Sequence, residues 1–193
     1  GLGWPKRISS AGGILVQKDG KSNITDTQSA VFEFDQFQAV WEHRTWGNPT
    51  DPDYPWALFI HGEKGVLKAS TMRADFIPNN PQEKPLHFDC FFERDKFPED
   101  KTEKDIELNA APATRLHMLD FLAAIDKRSR PIADIEQGHI SSASCILANV
   151  AMQVGRSLSY DPKKREIIGD AEATKLLRRT YRNPWKHPEP DQV

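Results

Sequence analysis

The sequence predicts an α+β fold: an open, mainly antiparallel mixed sheet with two long helices packed on one face. Three observations predict it. Short runs of alternating apolar and polar residues fill the first half, separated by turn-forming residues at hairpin spacing. After Asp100 the apolar period changes from that of a strand to that of a helix. No glycine-rich turn sits between a strand and a helix, so the chain contains no Rossmann domain. Strands first and helices afterwards make a layered structure rather than a doubly wound one.

Taken in order, Arg7 to Gln17 is β-prone, and its Gly12-Gly13 pair marks a bulge or a close backbone approach. Asp19-Gly20 is a turn. Ser29 to Phe34 alternates, and so does Phe37 to Trp46; Asp35-Gln36 between them is short enough for a hairpin. A proline-rich loop, Asn48 to Pro55, follows. Ala57 to His61 and Val66 to Ser70 flank the tight turn Glu63-Lys64-Gly65. Met72 to Ile77 and Leu86 to Phe92 are two further strands.

The first helix is expected over Thr114 to Lys127, where Leu116, Leu119, Leu122, Ala123 and Ile125 share a stripe and Pro112 suits its first turn. A second helix is expected between an Asp134 cap, with Gln137 three residues on, and Gly155 in the left-handed closing position. Ser157 to Tyr160 reads as a strand and Ala171 to Arg179 as a last helix capped by Asp170. The domain is expected to span residues 1–182, with a proline-rich tail over 183–193.

Within 193 residues, 38% are hydrophobic and 28% charged, and five Trp and ten Phe require a core or an interface. The length suits one generous domain. A balance of 26 basic against 28 acidic residues argues against a nucleic-acid partner, which selects for a basic excess on one face. No run approaches the roughly 20 apolar residues of a membrane span. The chain opens Gly1-Leu2-Gly3, which leads us to expect an upstream segment.

Candidate chemistry is sparse. Cys145 falls in a helical apolar pattern and reads as a small buried hydrophobe. The six histidines show no metal-ligand spacing, so no metal site and no catalytic residue is assigned. Lys84 in Glu83-Lys84-Pro85 reads as a solvated loop residue. Strand parity puts Glu42 and Arg44 on one face, and Arg115 and His117 open the expected first helix. These four are the candidate substrate-binding residues.

The run His117 to Phe121, then Arg128-Ser-Arg-Pro131, Asp134 to His139, Leu147 to Ala151, Gly155-Arg156, Tyr160-Asp-Pro162, Gly169 to Ala173 and Tyr181 to Trp185 resembles the glucose–fructose oxidoreductase / inositol dehydrogenase / MocA family. Trp4-Pro5, Trp41 to Arg44 and His61 to Gly65 extend the likeness over the strand half. The resemblance implies the carboxyl-terminal domain of a bacterial NAD(P)-dependent oxidoreductase acting on sugars, cyclitols or their glycosides. It implies an amino-terminal Rossmann partner domain that holds NAD or NADP, while this chain has no cofactor-binding residue of its own. It also implies a homo-oligomer. The family's catalytic Lys lies in a Glu-Lys-Pro of the Rossmann domain, so Lys84 matches in letters and not in position; catalysis is expected to require the Rossmann domain. The alternatives are a stand-alone, non-catalytic carbohydrate-binding or dimerisation module, and a small enzyme with an unrecognised acid/base pair. The compartment, cytoplasmic or periplasmic, is expected to depend on a segment preceding Gly1.

Overall fold

A computed structural model describes residues 2–89, 95–98 and 105–187. It is α+β, with antiparallel strand pairs throughout. The chain forms two compact units, residues 1–47 with 133–193, and residues 48–132.

The first unit is built on a three-stranded sheet of β1 (Arg7–Gly13), β2 (Thr27–Glu33) and β3 (Gln38–Arg44), in that order. Register places Ile8 opposite Phe32 and Ala30 opposite Trp41. Parity therefore turns Ile8, Ser10, Gly12, Gln28, Ala30 and Phe32 to one face. Helix α2 (Ile135–Val154) lies against that face. Its buried residues Leu147, Ala148, Val150 and Ala151 join Ile8, Ala30, Leu158, Ile167 and Ala173 in one core. Two small side chains on α2 let the helix approach closely, and Gly12 completes the fit. A Cβ there would fall on the Thr27 carbonyl and the Gln28 Cα, with the Met152 sulfur beside them. The glycine pair is thus a site of close approach.

Both caps of α2 are as the sequence suggests. The Asp134 carboxylate accepts from the Gln137 amide at 3.0 Å, and Gly155 takes φ 67°. Beyond the helix, Leu158 bridges to Ile8, and β8 (Tyr160–Asp161) pairs with β9 (Glu166–Ile167). The last helix, α3 (Ala171–Lys175), is shorter than the sequence predicts, and Asp170 caps it through Ala173.

The loop from β1 to β2 closes on Asp26, which is only 3% exposed. Its carboxylate accepts from the amides of Leu15, Val16 and Gln17 at 2.7–2.9 Å and from the Thr27 hydroxyl at 2.7 Å. Thr27 in turn accepts from the Trp46 indole at 2.8 Å.

The second unit holds a four-stranded sheet in sequential order: β4 (Leu58–Gly62), β5 (Gly65–Ala69), β6 (Arg73–Pro78) and β7 (Leu86–Asp89). The strands thus divide into separately hydrogen-bonded sheets where the sequence suggests one. Pro49, Pro52 and Pro55 between β3 and β4 lack the amide hydrogens that a continuing ladder needs. The expected strand over Leu86 to Phe92 is observed to Asp89; Phe91 and Phe92 lie outside the described residues.

Helix α1 (Asp105–Lys127) also belongs to the second unit and begins nine residues before the expected Thr114, so Pro112 lies inside it. Pro112 and Ala124 are buried, whereas Leu116, Leu119, Leu122 and Ile125 stand exposed. Cys145 is exposed too, which corrects its reading as a buried hydrophobe. Within α2, Leu147, Ala148, Val150 and Ala151 hold the buried face, and Cys145 with Ile146 lies off it.

Candidate functional site

Strand parity gives the four-stranded sheet two chemically distinct faces. Register aligns Leu58, Ala69, Ala74 and Phe88 in one row and Ile60, Leu67, Phe76 and Leu86 in the next. Every side chain in these rows is apolar, and Leu58, Ile60, Leu86 and Phe88 are 48–60% exposed. A depression of about 400 Å³ on this face is lined by Ile60, Leu67, Phe76 and the Gly62–Gly65 turn.

The opposite face carries Phe59, Lys68, Asp75 and His87 in one row across the four strands, with Arg73 opposite Asp89 at its end. The proline-rich loop is fastened to this face. Tyr54, 4% exposed, donates its hydroxyl to Asp75 at 2.5 Å. Asp51 accepts from the Lys68 ammonium at 2.6 Å, and Asp53 meets Arg73 at 3.6 Å. The Lys68 ammonium also stands 5.5 Å from the centre of the Tyr54 ring and 5.9 Å from that of Phe59. His87 places Nδ1 2.5 Å from Asp75 and Nε2 3.2 Å from Asp89.

The electrostatics follow from these contacts. Hydrogen bonds from Tyr54 and then His87 hold the Asp75 carboxyl below its ordinary value. The bond from Lys68 does the same for Asp51. Burial, reinforced by Asp75, pushes the Tyr54 phenol up to about 12. Asp75 foremost, with Asp89, raises His87 against the opposing effect of burial. The Tyr54 hydroxyl is spent on Asp75 and both His87 nitrogens face carboxylates, so the cluster presents no ring nitrogen to a substrate. Its geometry suits a clamp that positions a loop and a strand.

The sequence-predicted residues fall elsewhere. Glu42 and Arg44 share the face of the three-stranded sheet opposite α2, as parity requires, and both are exposed. The Arg44 guanidinium lies 5.9 Å from the Trp46 ring. Arg115 sits 3.5 Å over the Phe97 ring. His117 is exposed at mid-helix, and a separation of two residues turns it about 200° away from Arg115. The pair Glu42 and Arg44 belongs to the first unit and the pair Arg115 and His117 to the second.

The amino end of α2 is not open: the Asp134 carboxylate caps it, with Glu136 in the first turn. Nor does any group of three or more His, Cys, Asp or Glu among the described residues form a metal-holding set. No described helix is long and apolar enough to cross a membrane.

Residues 94–187 match a family described as the oxidoreductase family, C-terminal alpha/beta domain. No curated protein matches the chain. Among solved structures, it resembles an oxidoreductase from Agrobacterium radiobacter crystallised in complex with NAD+, L-tartaric acid and magnesium, at TM-score 0.63 and 10% identity. That likeness covers 82% of this chain and 44% of the other. A putative oxidoreductase from Bacillus subtilis matches at TM-score 0.51 and 10% identity, over 83% of this chain and 47% of that one. The chain therefore spans less than half the length of either structure, and the likeness is one of fold.

Proposed function

We propose that this chain, whose residues 94–187 match the C-terminal alpha/beta domain of an oxidoreductase family and whose sequence resembles the glucose–fructose oxidoreductase / inositol dehydrogenase / MocA family, serves as the substrate-binding and assembly domain of an NAD(P)-dependent enzyme. The domain spans residues 1–182, with 183–193 as a tail. Its substrates are sugars, cyclitols or their glycosides. An amino-terminal Rossmann domain of the same polypeptide supplies the dinucleotide site and the catalytic residues. NAD is the first dinucleotide to test, because the Agrobacterium oxidoreductase was crystallised with it. Glu42, Arg44, Arg115 and His117 are the side chains we propose for substrate contact.

The observation that carries the assembly role is the wholly apolar face of the four-stranded sheet. Burying Leu58, Ile60, Leu86 and Phe88 is worth roughly 1.5–3 kcal/mol each before the cost of association is subtracted. A two-fold pairing of this face with its copy is the simplest closed arrangement that covers it. Sedimentation equilibrium at micromolar concentration tests the pairing. A dimer that Phe88→Asp converts to monomer supports it; a wild-type monomer overturns it. In the polypeptide that also carries the Rossmann domain, substituting the four proposed contacts raises KM or lowers kcat. Unchanged kinetics for all four removes them from the site.

A further inference from the structure

His87 occupies an unusual electrostatic position for an edge-strand residue. It lies on β7, a strand of four residues at the end of the sheet order, and directly faces Asp75 of β6. Nδ1 is 2.5 Å from Asp75 and Nε2 is 3.2 Å from Asp89. Carboxylates only accept, so both contacts are satisfied together only when both ring nitrogens carry hydrogen. A neutral imidazole has one N–H and one lone pair. Whichever contact it keeps, the other sets a lone pair against a carboxylate.

The neighbouring charges sharpen this choice. From β6, Arg73 lies opposite Asp89 and reaches Asp53 of the loop at 3.6 Å. From β5, Lys68 lies opposite Asp75 but is engaged by Asp51 at 2.6 Å. From the loop, Tyr54 adds a hydrogen bond to Asp75, its other side chains here being Asp51 and Asp53. Both nearby cations thus have carboxylates of their own. His87 is the titratable group placed between Asp75 and Asp89.

We propose that His87 is a proton-operated latch: as an imidazolium it bridges Asp75 of β6 and Asp89 of β7, and its deprotonation loosens the edge strand that presents Leu86 and Phe88 on the opposite face. The sign is fixed by the geometry. The strand is held when His87 is protonated and freed as pH rises, because a cation donating to two carboxylates becomes a neutral ring that donates to one and sets a lone pair against the other. The latch goes beyond the assembly role and stands on the cluster alone.

The test uses the whole chain. The His87 ring resonances are titrated by NMR from about pH 5 to about pH 9, a range centred near the ordinary imidazole value. Amide hydrogen exchange of β7 is followed over the same range, corrected for intrinsic rates. The expected result is a His87 midpoint above that of an exposed histidine, with β7 protection falling through that same midpoint. Linkage adds a quantitative condition: the fold-loss of protection cannot exceed the factor by which the fold raises the proton affinity of His87. Asp89→Asn, at a side chain 72% exposed, lowers the midpoint and shrinks the protection change while leaving the fold intact. His87→Gln abolishes the pH dependence of β7. Protection of β7 that does not vary with pH, or that varies equally in His87→Gln, overturns the latch whatever the oligomeric state.

Discussion

Leu147→Ala is the sharpest test of how the first unit is held together. Leu147 is 2% exposed at the centre of the core shared by α2 and the three-stranded sheet. The substitution removes three carbons, worth about 2.4 kcal/mol at roughly 0.8 kcal/mol per methylene. The site collapses poorly, because its helical neighbours Ala148 and Ala151 are already small and cannot fill the space. A residual cavity therefore adds to the transfer loss, and we expect a total of about 3–4 kcal/mol, inside the roughly 2–5 kcal/mol range for buried leucines. Urea denaturation measures it. With a slope of about 2 kcal/mol per molar, the midpoint falls by about 1.5–2 M. The matched control is Ile146→Ala, one residue away and 53% exposed, which is expected to cost under about 1 kcal/mol. Equal midpoint shifts for the two variants would refute the placement of α2 on the sheet.

Gly12→Ala sets a methyl group into the Thr27 carbonyl and the Gln28 Cα, and we expect a loss of about 1–3 kcal/mol, read as a lowered thermal midpoint. An unchanged midpoint would deny the close approach. Burial pushes the Asp26 carboxyl up, but donation from Gln17, Leu15, Thr27 and Val16 outweighs it and holds the group far below the usual carboxylate range. Its contribution is therefore present above the unfolded-state value near 4 and disappears as pH falls through the depressed native value. Asp26→Asn keeps an acceptor but brings an NH2 group towards the loop amides. Amide exchange at Leu15, Val16 and Gln17 is expected to accelerate and to lose its acid dependence, and slow exchange in the variant counts against the clamp.

Legibility in the sequence followed the range of the interactions. Alternation over Ser29 to Phe34 and Phe37 to Trp46 disclosed the β2–β3 hairpin because parity is a local property. The caps Asp134 and Gly155 were readable because capping needs only neighbouring residues. The start of α1 was hidden by Pro112, which sequence reasoning assigns to a first turn and which here lies a third of the way along the helix. The cluster of Tyr54, Asp75 and His87 was not legible. Its members come from a loop and two strands, and they meet only once the β5–β6 and β6–β7 registers are fixed. A partial signal was present: His61, Lys68, Arg73, Asp75, His87 and Asp89 all fall on one parity of strands whose other parity is apolar.

That parity also revises what the aromatic content means. Counting Phe59 and Phe88 together suggests one aromatic surface, yet one residue step separates Phe59 from Leu58 and Ile60, and it falls on the charged face. There it serves as a ring wall for Lys68 and an edge partner for Tyr54 at 6.1 Å. Phe88 stays with Leu58, Ala69 and Ala74. Phe76 and Phe88 apart, the rows of the apolar face are consequently aliphatic and small side chains. The same strands that supply those rows alternate into the clamp, so a residue of β7 cannot loosen on one face while remaining fixed on the other. Residues His87 and Phe88 are adjacent, and the backbone between them makes the charged cluster and the apolar face one mechanical element.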